Sequence, residues 1–78
     1  MNDRIAKEEI EKWLTRIKKE LKDVKILDEK GKEFLENINA YVNDCEHFLQ
    51  KGEYVLSFES VVWSWAYFEI SKNLKLLD

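Results

Sequence analysis

The 78-residue sequence contains no proline and only two glycines, so very few positions interrupt a regular backbone. Proline breaks helices and glycine weakens them, whereas strands joined by tight turns usually need several of both residues. Apolar residues recur at steps of three and four, which is the spacing of a helix that buries one face. The sequence therefore predicts an all-α protein built from a few long helices.

Three helices are predicted, at approximately residues 3–25, 28–51 and 54–76. A helix of about 20 residues is about 30 Å long, so the three match in length and can bury a common seam. The short loops between them favour antiparallel neighbours. The expected fold is an antiparallel three-helix bundle with the third helix most central, and the whole chain, residues 1–78, is expected to form a single domain.

The predicted helix ends coincide with capping signals, and each of the first two helices carries one apolar stripe. Asp28 and Glu29 suit the positive N-terminal end of the second helix, and Gly52 suits the left-handed conformation that often ends a helix. The stripe of the first helix contains Ile10, Leu14, Ile17, Leu21 and Val24. The stripe of the second helix contains Phe34, Leu35, Ile38, Tyr41, Val42, Cys45, Phe48 and Leu49.

The third helix differs because its apolar residues cover roughly 260° of the helical wheel, well beyond the ~100° of an ordinary surface helix. Its first apolar row contains Tyr54, Phe58, Val61, Trp65 and Phe68. Its second apolar row contains Leu56, Trp63, Tyr67, Ile70 and Leu74. The remaining polar sector contains Ser57, Ser60, Ser64 and Ser71. Two neighbouring helices cannot shield so wide an arc, so the second row is predicted to have no partner inside the bundle.

Exposed apolar patches usually mark protein–protein interfaces, in which Trp and Tyr contribute much of the binding energy. The second row is therefore the candidate interface, and the nearby serines are small enough for another helix to approach closely. The predicted function is a non-catalytic interaction or oligomerisation module, whose partner is a second copy in a homodimer or another protein. The alternative is a small-ligand or regulatory binding protein with an inter-helix pocket near Glu69.

Two acids, Glu59 and Glu69, fall inside the apolar arc, where an unpaired buried carboxylate would be costly. In one interpretation each acid reaches a Lys or Arg of the first helix or the rim of a contact surface. In the other, Glu69 anchors a ligand or a basic group of a partner. Ten residues separate the acids by about 15 Å along the helix, beyond the roughly 5–10 Å of paired catalytic carboxylates.

Other chemically active side chains do not form a predicted site. Asp44 and His47 have a spacing that can share a metal on one helix face, but this pair is predicted to face solvent. Cys45 lies on the core stripe and is expected to be buried and unreactive. The sequence therefore predicts no catalytic residue, no metal site and no cofactor, and hence no enzymatic activity.

Charge and composition exclude other function classes. The net charge of −3 provides no general basic field, and the eight aromatics of residues 41–78 accompany six acids but only three lysines. Nucleic-acid binding is therefore not expected. Glu59 and Glu69 interrupt the apolar stretch 54–70, which argues against membrane insertion. The single cysteine and the polar N-terminus, without a signal-peptide pattern, indicate the cytoplasm.

Residues 41–69 resemble the signature of a small archaeal family known as domain-of-unknown-function family 357. The resemblance rests on Tyr41, Asp44, Phe48, the run Lys51-Gly52-Glu53-Tyr54, Phe58 and an aromatic run that ends at Glu69. Cys45 and Ser57 stand where the family usually has alanine, and Glu53 and Glu69 stand where it usually has aspartate. The resemblance implies a compact three-helix bundle, an archaeal cytoplasmic origin and no assigned activity.

Overall fold

The computed structural model describes residues 6–78, which form three helices. They are α1 (Lys7–Lys22), α2 (Glu29–Gln50) and α3 (Tyr54–Asn73). Residues 6–78 contain no β-strand, only an isolated antiparallel bridge between Ile26 and Leu77. The molecule is elongated, with principal extents of 45 × 18 × 17 Å. The predicted all-α three-helix bundle is confirmed.

The third helix is the central element, as predicted. Helix α3 packs extensively on α2 and less extensively on α1, whereas α1 and α2 contact each other very little. The core is a single cluster to which all three helices contribute through their predicted stripes. Its buried members are Ile10, Leu14, Ile17, Ile38, Val42, Cys45, Val61, Phe68 and Leu77.

Two helices end earlier than the sequence predicts, because the residues that follow them pair with each other. Helix α1 ends at Lys22 rather than at residue 25, and α3 ends at Asn73 rather than at residue 76. Lys25 and Asp78 exchange two backbone hydrogen bonds of 2.9 and 2.8 Å, and the Leu27 amide donates to the Leu76 carbonyl at 2.9 Å. The predicted start of the first helix at residue 3 lies outside the described residues, within which α1 begins at Lys7.

The C-terminal ends of α2 and α3 have the same hydrogen-bonding geometry. Gly52 has a φ of 76°, its amide donates to the Leu49 carbonyl at 3.1 Å, and the Glu53 amide donates to Phe48 at 2.9 Å. This is a Schellman motif, which confirms the predicted helix end at Gly52. At the end of α3, Lys75 occupies the equivalent left-handed position with a φ of 60°.

The beginning of α2 is fixed by a cap and by a close backbone contact. The Asp28 side chain accepts a hydrogen bond of 2.9 Å from the Lys30 amide, so Asp28 is the N-cap at the helix start that the sequence predicts. Within the first turn of the helix, Gly31 is buried against the backbone of Leu76. A Cβ at this position would collide with the Leu76 carbonyl oxygen, so only glycine allows the chain end to lie on α2.

Candidate interaction surface on the third helix

The serines of α3 face the inside of the bundle. Ser57, Ser64 and Ser71 are completely buried and Ser60 is nearly so. The sequence placed these residues in a polar sector open to an approaching partner helix, and that placement is wrong. The helix that approaches them closely is α2 of the same chain, because small side chains allow two backbones to come near each other.

Each buried serine hydroxyl has a hydrogen-bond partner. Ser57 donates to the Cys45 carbonyl of α2 at 2.7 Å. The hydroxyls of Ser60, Ser64 and Ser71 donate to carbonyl groups one turn earlier in α3, at 2.9, 2.7 and 2.8 Å. Among the described residues no buried side-chain nitrogen or oxygen lacks a partner. The serines therefore occupy core positions without the energetic cost of an unsatisfied polar group.

Because the serines share the inner side with Val61 and Phe68, other large apolar side chains of α3 lie on its outer side. Six of them have exposed fractions between 42% and 59%, and together they define the outward face of α3: Val55, Leu56, Val62, Trp63, Ile70 and Leu74. Four of the five predicted interface residues belong to this face. Val55 and Val62 were missed, because they belong to neither of the two apolar rows that the sequence analysis defines.

An aromatic cluster on α2 and α3 borders the outward face. Tyr67 is only partly exposed, and its ring stacks on Tyr41 of α2 with centroids 5.6 Å apart. Tyr41 also stacks on Trp63 at 6.4 Å, and Phe34 contacts the Tyr67 ring edge-to-face at 5.9 Å. The expectation that this row has no partner inside the bundle is therefore wrong for Trp63 and Tyr67. These contacts hold the Trp63 indole in one orientation while leaving it 54% exposed.

Both acids of α3 are exposed at its outer side. Glu59 and Glu69 form no ion pair within residues 6–78, where the cations that do pair are Lys12, with Glu9, and Lys18, with Glu46. The expectation that each acid reaches a Lys or Arg of the first helix is therefore not met by the described residues. Ten residues of helix separate the two acids by about 15 Å along the axis and about 80° around it.

A second apolar feature lies between α1 and α3. It is an open groove of about 280 Å³ lined by Trp13, Phe58, Val61, Val62 and Trp65. The Trp13 and Trp65 rings meet edge-to-face at 5.9 Å, and the Trp65 indole N–H donates to the Trp13 carbonyl at 3.2 Å. Glu69 does not line this groove, so it is not the pocket near Glu69 that the sequence suggested.

The other candidate side chains remain apart from these surfaces. Asp44 and His47 are exposed on α2, and residues 6–78 contain no group of three or more His, Cys, Asp or Glu placed to hold a metal ion. Cys45 is fully buried, as predicted. Burial raises the pKa of the Cys45 thiol, which is the opposite of what a reactive cysteine requires. None of the helices in the described part of the chain is both long and apolar enough to cross a membrane.

The fold and the exposed apolar face define a small all-α helical bundle with one unusually apolar surface. The chain belongs to the family described as protein of unknown function (DUF357), whose family model matches residues 10–77. This chain is similar to protein AF1782 from Archaeoglobus fulgidus, a member of the same family whose crystal structure has been solved. The two chains are 40% identical in sequence, and their structures superpose with a TM-score of 0.84. The match covers 92% of this chain and 90% of that chain. The resemblance seen in residues 41–69 is thereby confirmed. The comparison with curated proteins gave no match.

Proposed function

We propose that this protein is a non-catalytic protein–protein interaction module that docks its partner on the outward face of α3. The observation that carries this proposal is the side-chain distribution of α3, with serines inside and six large apolar side chains outside. A helix that served only the stability of the bundle would bury its larger apolar side chains. Helix α3 buries Val61 and Phe68 but leaves six other large apolar side chains on the surface, and these provide the contact area that an interface uses.

The aromatic cluster supports this proposal. Trp and Tyr are enriched among residues that dominate binding energy, especially where neighbouring contacts fix their orientation. Trp63 is exposed, and Tyr41 holds it against α2. Tyr67 lies beside it at the edge of the outward face. An interface centred on Trp63 would therefore begin from an ordered anchor and lose little side-chain entropy on binding.

The partner in this proposal is either a second copy or a different protein. A chain of this size buries only about 60% of its unfolded surface, so association is a common source of added stability. The free, buried Cys45 supports the related proposal that the protein works in a reducing compartment, the cytoplasm.

Site-specific photocrosslinking in the native cell tests the docking surface. A crosslinking amino acid at Ile70 samples the outward face, and one at Glu11 samples the exposed side of α1 as a matched control. We expect protein adducts at Ile70 that disappear in the Trp63→Ala/Tyr67→Ala variant, and few adducts at Glu11. Equal adduct yields at both positions would show that α3 is not a preferred docking surface.

A second candidate function is the binding of a small apolar ligand in the groove between α1 and α3. The apolar, largely aromatic lining of the groove favours this function. Trp13 and Trp65 line the groove and would report occupancy through their fluorescence. Thermal-shift screening with apolar metabolites should raise the melting temperature if this function is correct, and Trp65→Ala should remove the shift.

A further inference from the structure

Helix α3 carries every large apolar side chain that is exposed on the three helices. The exposed residues of α1 are all polar or charged, and those of α2 are polar apart from Ala40. The other exposed large apolar side chains of residues 6–78 are Ile26 and Leu27, which lie in the connection between α1 and α2. A second copy that covered the outward face of α3 with a helix would therefore have to use its own α3.

If two copies of α3 faced each other, no oppositely charged side chains could form ion pairs across the contact. Between Tyr54 and Asn73 the helix carries the acids Glu59 and Glu69 and one cation, Lys72. The Lys72 ammonium lies over the buried Phe68 ring, 5.3 Å from its centroid, and so is directed away from the outward face. An α3–α3 contact centred on the outward face would bring the four carboxylates onto one surface to which neither helix contributes a cation. Like charges at an interface weaken association and select against that pairing.

From this arrangement we infer that the outward face of α3 receives a different protein, through an apolar helix or strand flanked by Lys or Arg about 15 Å apart. The inference rests on the proposed function and specifies the chemistry of the partner. On the helix surface Glu59 lies within the outward face, between Leu56 and Val62, and Glu69 lies at its edge, so each would meet a cation of the partner. The same two carboxylates disfavour a homodimer, which explains how a soluble chain can expose this face.

A charge-swapped version of the chain itself provides a probe with this chemistry. The Glu59→Lys/Glu69→Lys variant keeps the apolar residues and presents two cations in place of the two acids. Both acids are exposed and unpaired within residues 6–78, so the exchange should leave the fold intact, which circular dichroism verifies. Sedimentation equilibrium would compare the wild type, the variant and their equimolar mixture at low ionic strength.

We expect the mixture to associate at least tenfold more tightly than either protein alone, and 0.5 M NaCl to reduce the difference. A mixture that stays monomeric at 200 µM would overturn the inference, as would a wild-type homodimer of equal or greater affinity. The Trp63→Ala/Tyr67→Ala change, made in both the wild type and the charge-swapped variant, tests the proposed function separately. If the wild type forms a homodimer and this change abolishes it, the docking surface is correct and the charge inference is wrong. If the mixture associates and survives this change, the docking surface itself is wrong.

Discussion

The hydroxyl of Ser57 donates a hydrogen bond to the backbone carbonyl of Cys45 at 2.7 Å, and its oxygen lies 3.3 Å from the Cys45 sulfur. This pair joins α3 to α2 at a point where both side chains are fully buried. It is the one hydrogen bond from a serine of α3 to another helix among the described residues. The contact fixes which side of α3 is turned inward and therefore which side is left outside.

Replacement of Ser57 should test this contact. Ser57→Leu should lower the free energy of unfolding by about 2–3 kcal/mol, because a large side chain cannot fit where α2 approaches so closely. Ser57→Ala should lower it by about 1 kcal/mol through loss of the hydrogen bond. Urea unfolding followed by tryptophan fluorescence measures both changes.

Ser64→Ala is the matched control for this series. Ser64 is equally buried, but its hydroxyl bonds only to Val61 in its own helix, so we expect a change within about 0.5 kcal/mol. Equal losses in Ser57→Ala and Ser64→Ala would mean that the bond between helices has no special importance.

The Cys45 thiol should make stability depend on pH. Burial raises the pKa of this thiol above its ordinary value of 9.0, which the nearby Glu46 charge also favours, while the Ser57 hydrogen bond opposes the shift. Since folding favours the neutral thiol, its contribution is fully present below pH 9 and is lost as the pH rises above 9. Urea unfolding at pH 8 and pH 10 should show a smaller loss of stability in Cys45→Ala than in the wild type. Parallel pH profiles of the two proteins would contradict this account.

Gly31→Ala should destabilise the protein although alanine is the better helix former. The added methyl group would collide with the Leu76 carbonyl and displace the chain end from α2. We expect a loss of at least about 1 kcal/mol, whereas helix propensity alone predicts a gain of about the same size. Asn37→Ala, at an exposed position of α2, is the control and should be neutral or slightly stabilising. A more stable Gly31→Ala variant would show that the chain end yields at little cost.

The two left-handed positions should respond in opposite directions to substitution. Gly52→Ala places a Cβ on a residue with a φ of 76° and should cost about 1 kcal/mol, although no neighbouring atom crowds the position. Lys75→Gly relieves the same strain at a φ of 60° and should raise the free energy of unfolding by about 0.5–1 kcal/mol. Thermal unfolding of both variants measures the direction of each stability change. Changes in the same direction would contradict the view that a Cβ is strained at both positions.

Replacing each tryptophan by alanine should distinguish a core residue from a proposed interface residue by the loss of unfolding free energy. Trp65→Ala removes a ring that contacts Trp13 and Phe68 and donates to the Trp13 carbonyl, so a loss of about 3 kcal/mol or more is expected. Trp63→Ala removes a half-exposed ring whose contacts lie at the surface, so its loss should be near 1 kcal/mol. Calorimetry or urea unfolding gives both values. A larger loss at Trp63 would mean that the outward face serves the fold.

The sequence predicts the helices well because their signals are local. The stripe of α1 and the stripe of α2 each occupy one side of a helix, so periodicity alone identifies the residues that face the core. Asp28 at the start of α2 and Gly52 after its end are likewise recognised from the neighbouring sequence alone. The early ends of α1 and α3 could not be predicted in this way, because they depend on backbone pairing between residues far apart in the chain.

The orientation of α3 was harder to predict because its polar serines lie on the buried side of the helix. Hydrophobicity assigns serine to the surface, but Ser64 and Ser71 satisfy their hydroxyls within their own helix and need no water. The width of the apolar arc correctly indicated that apolar side chains of α3 stay exposed, and four of the five residues of the second row are exposed. The stacking of Tyr41 on Trp63 and Tyr67 was missed, because it depends on the register between α2 and α3.

The backbone pairing of Lys25 with Asp78 has a consequence for the order of folding. The two residues are 53 positions apart in the chain, and closing so long a loop has an entropic cost that must be met before the pairing contributes any stability. We expect this pairing to form only after α3 has docked on both neighbours. The amide hydrogens of Leu27 and Asp78 would then become protected only in the last step of folding. Their rate of hydrogen exchange with solvent would be set by global unfolding of the protein.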